Sequence, residues 1–143
     1  MKRDSLLQLV KYGVVGCLNT ALTLGIIFVC KSFLGVDEYL SNALGYVAGF
    51  VNSFLWNRRW VFRSDGRLRR EAALFLCGFA VCYCVQFAVV WVLSRSPFGD
   101  MEYAFTDRIV LSGYGIATLI GNVAYTLSNF IFNKVVTFGS ARD

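Results

Sequence analysis

Four long stretches of this chain contain no charged residue, and that pattern limits the folds open to it. They run over 12–30, 39–57, 72–94 and 109–133, each about 19–25 residues. A bilayer core of ~30 Å needs about 20 helical residues. None of the four alternates apolar with polar residues as a half-buried strand would. None carries the charged face that a helix of a soluble bundle needs. The first is too long for a cleavable leader, and no small-residue cleavage site and polar mature segment follow it. The expectation is an all-α membrane protein, one domain over 1–143 with four transmembrane helices.

Composition agrees. Hydrophobic residues make up 57% of the chain and charged residues 16%, against roughly 45–50% and ~25% in soluble domains. There is one Pro and no His. Cys17, Cys30, Cys77, Cys82 and Cys84 all fall in apolar runs and form no CxxC pair, so they read as small buried hydrophobes and no metal site is expected.

Lys and Arg orient the chain. Eleven of the fourteen lie at the start, the 58–70 link and the tail: Lys2, Arg3, Lys11, Arg58, Arg59, Arg63, Arg67, Arg69, Arg70, Lys134 and Arg142. The other side has Lys31, Arg95 and Arg108, with Asp37, Glu38, Asp100, Glu102 and Asp107. Both termini are therefore expected in the cytoplasm. The net charge of +5 then follows from topology and anionic lipid, with no nucleic-acid partner required. Tyr12, Trp56, Trp60 and Phe62 near one set of helix ends, and Tyr39, Trp91 and Tyr103 near the other, fit interfacial aromatic belts.

The chain also repeats itself at an offset of 76 residues. Phe54, Asn57, Arg58 and Phe62 match Phe130, Asn133, Lys134 and Phe138, and Gly45 matches Gly121. Two helical hairpins of the same orientation are expected, as in transporters that place a pathway at a repeat interface. Shared rules for helix ends, an amide, a cation and then aromatics, would produce part of the same likeness.

Three sets of residues carry functional possibilities. Ser41, Gly45, Gly49 and Ser53 line one face of helix two, suited to close packing against another helix of the chain or against a second copy. Asn19, Asn42, Asn52, Gln86, Asn122 and Asn129 are amides in or near the spans. Thr118, Asn122, Thr126, Asn129 and Asn133 fall on one stripe of helix four. Buried amides need partners, so they are either helix–helix glue or the lining of a polar groove. Asn57, Arg58, Arg59, Asn133 and Lys134 sit where helices reach the cytoplasmic headgroups. They are either positive-inside anchors or a phosphate site. No His, intramembrane acid, paired carboxylates or Gly-rich phosphate loop is present, so neither a catalytic set nor a cofactor is expected. The missing intramembrane carboxylate also argues against a proton-coupled multidrug exporter.

The segments 12–20 (YGVVGCLNT), 39–46 (YLSNALGY), 57–62 (NRRWVF) and 129–134 (NFIFNK) together resemble the GtrA-like family of small membrane proteins, over nearly the whole chain. Ser53 stands where the family pattern usually has Asn. The resemblance implies a role in cell-surface polysaccharide synthesis in the bacterial plasma membrane. It implies a flippase that carries a polyprenyl-phosphate-linked sugar from the inner to the outer leaflet, beside a membrane-associated glycosyltransferase. On that reading Asn57, Arg58, Arg59, Asn133 and Lys134 hold the lipid phosphate, Asn19, Asn42, Gln86, Asn122 and Asn129 line a polar groove, and Gly45 and Gly49 pack helices or an oligomer. A dimer or higher homo-oligomer is expected because four short helices make a thin wall. The alternative is a non-transporting subunit that recruits the glycosyltransferase through its basic link.

Overall fold

A computed structural model of the chain describes residues 3–97, 102–106 and 109–139. Of the charges that orient the chain, Lys2, Asp100, Asp107, Arg108 and Arg142 lie outside those residues, as do the side chains of Arg3 and Tyr103. The chain divides into two compact units, Met1–Gly66 and Arg67–Asp143. Each contains a helical hairpin.

The first hairpin pairs α1 (Arg3–Ser32) with α2 (Glu38–Trp56). Helix α1 begins at Arg3, well before the apolar run, because the Leu-rich segment from Leu6 to Lys11 has good helix formers and nothing to stop it. It ends in a turn that only a left-handed residue closes. Gly35 takes φ +61°, the left-handed conformation common just past a helix end, and Val36 N–H donates back to Cys30 O at 2.9 Å. Asp37 then caps α2, its Oδ2 accepting from Tyr39 N–H at 3.0 Å and Leu40 N–H at 3.3 Å. Such caps contribute about 1 kcal/mol. Lys31 and Glu38 pair across this turn at 3.1 Å.

Small residues let the two helices meet. A Cβ on Gly45 would come within 2.6 Å of Ile27 Cγ1 and 3.0 Å of Thr23 O, and one on Gly49 would strike Thr23 Oγ1. The Ser41–Gly45–Gly49 face of α2 is therefore filled by α1 of the same hairpin. It is not open to a second copy. Toward the other end Tyr12 and Phe62 meet edge to face at 6.3 Å.

The second hairpin pairs α3 (Leu68–Ser94) with α4 (Gly113–Phe132). Phe75, Gly78 and Cys82 of α3 and Ala117, Gly121 and Phe130 of α4 are buried. A Cβ on Gly78 would collide with the Phe132 ring, and one on Gly121 with Val90 Cγ2 at 2.5 Å. Gly121 thus does in this hairpin what Gly45 does in the first.

The link between α3 and α4 departs from expectation. Residues 109–112, expected to open the fourth helix, form strand β2 (Ile109–Ser112), paired antiparallel with β1 (Glu102–Thr106). A short apolar run rich in β-branched residues satisfies either state, and pairing with β1 decides it. Helix α4 starts only at Gly113, with Ser112 Oγ capping Gly115 N–H at 3.1 Å.

Both hairpins end in the same irregularity. After α2 the chain widens into a π-helical turn over Asn57–Val61, and after α4 into another over Asn133–Thr137. Each closes with an i to i+5 bond, Phe62 N–H to Asn57 O and Phe138 N–H to Asn133 O, both 2.9 Å. The turns share their length and the 76-residue offset. The first finishes with Arg63 at φ +52° and Ser64 N–H on Arg58 O at 2.9 Å.

Among the described residues three helical segments are long and apolar enough to cross a membrane: Ser5–Ser32, Leu68–Ser94 and Gly113–Thr137. Helix α2 falls short in apolarity because Ser41, Asn42, Asn52 and Ser53 interrupt it. The helices expose large apolar residues such as Phe28 at 60%, Leu76 at 57% and Phe87 at 64%, a surface suited to lipid and not to water. Of the five Cys, only Cys30 and Cys82 are buried; Cys17, Cys77 and Cys84 are exposed, because they lie on the outward faces of their helices.

Candidate functional site

The polar residues sort into two regions, the π-turn ends and the hairpin interiors. At the first π turn Asn57 is 1% exposed. Its Nδ2 donates to Ser53 O at 2.8 Å and Ser53 Oγ at 3.2 Å. Its Oδ1 is buried and has no partner among the described residues. At the second, Asn133 is fully buried. Its Nδ2 donates to Asn129 Oδ1 at 3.1 Å, and its Oδ1 accepts from Thr137 Oγ1 at 2.9 Å. Asn129 Nδ2 in turn donates to Tyr125 Oη at 3.3 Å. The expectation that Asn57 and Asn133 reach a headgroup is corrected: both point inward and fasten π turns to the preceding helical turn. Ser53, the departure from the family pattern, accepts from Asn57 much as Asn129 accepts from Asn133.

The cations beside them are placed differently. Arg58 is half-buried, and its Nη2 donates to Gly66 O at 2.8 Å, which ties the following link to the turn. Lys134 is also half-buried, its Nζ 5.6 Å from the centre of the Phe130 ring. Arg59 is exposed. Trp60 stacks edge-on against Trp56 at 6.0 Å and lies under Lys11 at 5.3 Å, the arrangement expected of an interfacial aromatic cluster.

The amides expected in one groove separate into pairs. Asn19 Oδ1 accepts from Asn52 Nδ2 at 3.5 Å inside the first hairpin. Gln86 Nε2 donates to Asn122 Oδ1 at 2.7 Å inside the second. Asn42 leaves the set altogether, its Nδ2 folded onto Glu38 O at 2.8 Å in the first turn of α2. Asn129 belongs to the buried ladder just described. The stripe on α4 divides likewise: Asn122 and Thr126 are exposed, while Asn129 and Asn133 are buried.

Two features escape a reading of the sequence by spans. Glu71, one residue before the third apolar run, is 2% exposed. It shares the buried face of α3 with Phe75, Gly78 and Cys82, and that helical spacing was the available signal. The second is a half-open groove of about 130 Å³ lined by Tyr83, Gln86, Phe87, Val90, Tyr114 and Thr118. Among the described residues no group of three or more His, Cys, Asp or Glu could hold a metal ion.

Comparison with known proteins gives this arrangement a family. The chain is similar to the uncharacterized membrane protein YngA of Bacillus subtilis (strain 168), 24% identical over 147 residues that cover 97% of this chain and 84% of the relative. It is similar to the cell wall teichoic acid glycosylation protein GtcA of Listeria innocua, 23% identical over 143 residues covering 94% and 87%. The model of the GtrA/DPMS transmembrane domain matches residues 11–138, from the first span through the second π turn. The chain is a membrane protein that belongs to the GtrA/DPMS transmembrane-domain family.

Proposed function

We propose that this protein is a flippase that moves a polyprenyl-phosphate-linked sugar from the cytoplasmic to the outer leaflet of a bacterial plasma membrane, for glycosylation of a cell-surface polymer. The observation that carries the reading is the matched pair of π-turn ends. Each seats one half-buried cation, Arg58 or Lys134, at the end of a helix whose interior amides are paired. A guanidinium has five donors in a fork suited to phosphate, and an ammonium is a point charge of the same sign. The relative named for teichoic acid glycosylation supports the polymer class.

The reading requires α2 to span as well. Packing argues for it. Helix α2 with its π turn follows α1 from Gly45 beside Thr23 and Ile27 to Phe62 beside Tyr12. If α1 spans, its partner lies at the same depth, and the polar groups that lower its apolarity are satisfied within the hairpin by Asn19 and by Val36 O and Asp37 O. Four spans put both termini on one side, and the excess of Lys and Arg makes that side cytoplasmic. An oligomer would then use a face other than Gly45 and Gly49. The chain itself performs no covalent chemistry on this reading. The lipid is made inside and consumed outside, so its own gradient drives transfer without a nucleotide.

A recruitment subunit for a membrane-associated glycosyltransferase is the second reading, favoured by the exposed Arg63, Arg67, Arg69 and Arg70 of the link. Binding of a prenyl-phosphate sugar to purified, correctly inserted protein separates the two. Arg58→Ala and Lys134→Ala should each weaken it roughly 10- to 100-fold, the worth of a charge-assisted contact. Unchanged affinity in both leaves them as topological anchors.

A further inference from the structure

The groove between α3 and α4 runs from Tyr114, near the start of α4, to Tyr83, about midway along α3. Its α4 residues, Tyr114 and Thr118, lead to Asn122 one turn further on, about midway along the helix. Gln86, the residue that joins the cavity to Asn122, has its Nε2 committed at 2.7 Å. That leaves Gln86 Oε1 without a partner among the described residues. Thr118 Oγ1 donates to Tyr114 O at 2.9 Å and keeps lone pairs to accept. The Tyr83 and Tyr114 hydroxyls both donate and accept. Tyr83, Phe87 and Tyr114 also bring flat aromatic surface, and each is more than half exposed. In hydrocarbon such unpaired groups each cost free energy, so the site calls for an occupant that satisfies them.

The lining selects among occupants. It contains no Lys or Arg, so the lining itself does not hold a phosphate, and the phosphate bonded to any seated sugar has to lie at the groove's open side. An acyl chain would satisfy none of the polar groups. A pyranose carries hydroxyls that donate and accept around its rim and apolar C–H faces that lie flat on aromatic rings. The volume of about 130 Å³ is well below the roughly 300–1,000 Å³ of drug-sized sites, and the groove is open on one side, so it seats about one ring against its lining. We infer that this cavity is an intramembrane station for the sugar moiety of the transported lipid, held by Gln86, Thr118 and the Tyr83 and Tyr114 hydroxyls. The inference rests on the flippase reading above.

The station is distinct from the π-turn end. Asn122 and Lys134 are separated by about 18 Å along the helix axis, at ~1.5 Å rise per residue. A sugar is bonded directly to its phosphate, so one lipid cannot occupy Lys134 with its phosphate and the cavity with its sugar at once. The two sites are visited in turn. Gly121 supports the geometry, since any Cβ there would displace Val90 and crowd Gln86 Cγ, both part of the lining.

Fluorine NMR of protein labelled with 3-fluorotyrosine in nanodiscs tests this, with Tyr83 and Tyr114 assigned through Tyr83→Phe and Tyr114→Phe. The probes are citronellyl phosphate and its glucose, galactose and N-acetylglucosamine esters. At least one sugar ester should shift both resonances, and bare citronellyl phosphate should shift neither. Gln86→Leu should weaken the sugar-dependent shift by roughly 10-fold, the loss of about one hydrogen bond, with affinity for bare citronellyl phosphate unchanged. Thr118→Val, which keeps shape, should weaken it less and guards against a folding defect in the first variant. An ester that binds without moving either tyrosine removes the station and leaves the flippase reading standing. Shifts produced equally by bare phosphate, or by raising the number of protein copies per nanodisc, assign the cavity to the lipid tail or to a second copy and overturn the inference. If no ester binds anywhere, the flippase reading fails, and the station with it.

Discussion

Asn57 and Asn133 stand 76 residues apart and each opens a five-residue π-helical turn with its side chain buried. Only one of the two is fully satisfied. Thr137 donates to Asn133 Oδ1, whereas the residue at the matching place in the first hairpin is Val61, which has no donor. Asn57 Oδ1 is left without a partner among the described residues.

That asymmetry can be tested from both sides. Val61→Thr gives Asn57 the donor its counterpart has and should stabilise the protein by about 1 kcal/mol. Thr137→Val leaves Asn133 Oδ1 bereft of that donor and should destabilise by about 1–3 kcal/mol. Equilibrium unfolding in detergent measures both. No change in either would mean the π turns are held by their backbone alone.

Gly45 and Gly49 separate intramolecular packing from assembly. Each is pressed against α1, so Gly45→Leu and Gly49→Leu should overpack the hairpin and cost at least about 1–3 kcal/mol. Thermal unfolding should fall at all protein concentrations. A normal melting temperature accompanied by loss of an oligomer would reverse the assignment.

Backbone conformation gives a paired prediction. Gly35→Ala forces a Cβ into the left-handed region and should cost about 1–2 kcal/mol. Arg63→Gly relieves the same conformation at the end of the first π turn and should gain up to about 1 kcal/mol, since the left-handed region costs glycine nothing sterically. The opposite signs, read by the same unfolding measurement, distinguish local strain from a general loss of charge or bulk.

Orientation is read by labelling. With the native cysteines removed, a cysteine placed at Gly66 should resist an impermeant thiol reagent in intact cells and react after permeabilisation. Labelling of intact cells at that position would invert the topology and move Arg58 and Lys134 away from the side where the lipid is loaded.

Much of the fold was legible in the sequence because hydrocarbon admits few solutions: an uncharged run of the right length in lipid must be helical. The offset between Asn57 and Asn133 likewise located both π-turn ends. Their inward direction was not legible, because a residue at the end of a helix faces the headgroups or the neighbouring helix according to packing alone. Strand β2 was hidden for a related reason: Ile109, Val110 and Leu111 are apolar, adjoin a helix and carry no periodicity of their own. The amides were visible as polar residues in apolar runs, but their partners were not. Gln86 meets Asn122 and Asn42 turns onto Glu38 O, outcomes set by how two helices face each other. The lining of the cavity alternates between α3 and α4, so no single stretch of sequence displays it.

Translocation by the purified protein alone tests the central claim most directly. The protein is reconstituted in liposomes with a fluorescent short-chain prenyl-phosphate sugar in both leaflets, and a membrane-impermeant reagent destroys the outer pool. The account predicts that nearly all of the lipid becomes accessible in vesicles holding the protein, that about half remains protected in empty vesicles, and that Arg58→Ala slows the transfer by about the 10-fold or more expected for a lost charge-assisted contact. If correctly inserted protein leaves half of the lipid protected, and transfer appears only when a glycosyltransferase is added, the chain is a recruitment subunit and the flippase account is wrong.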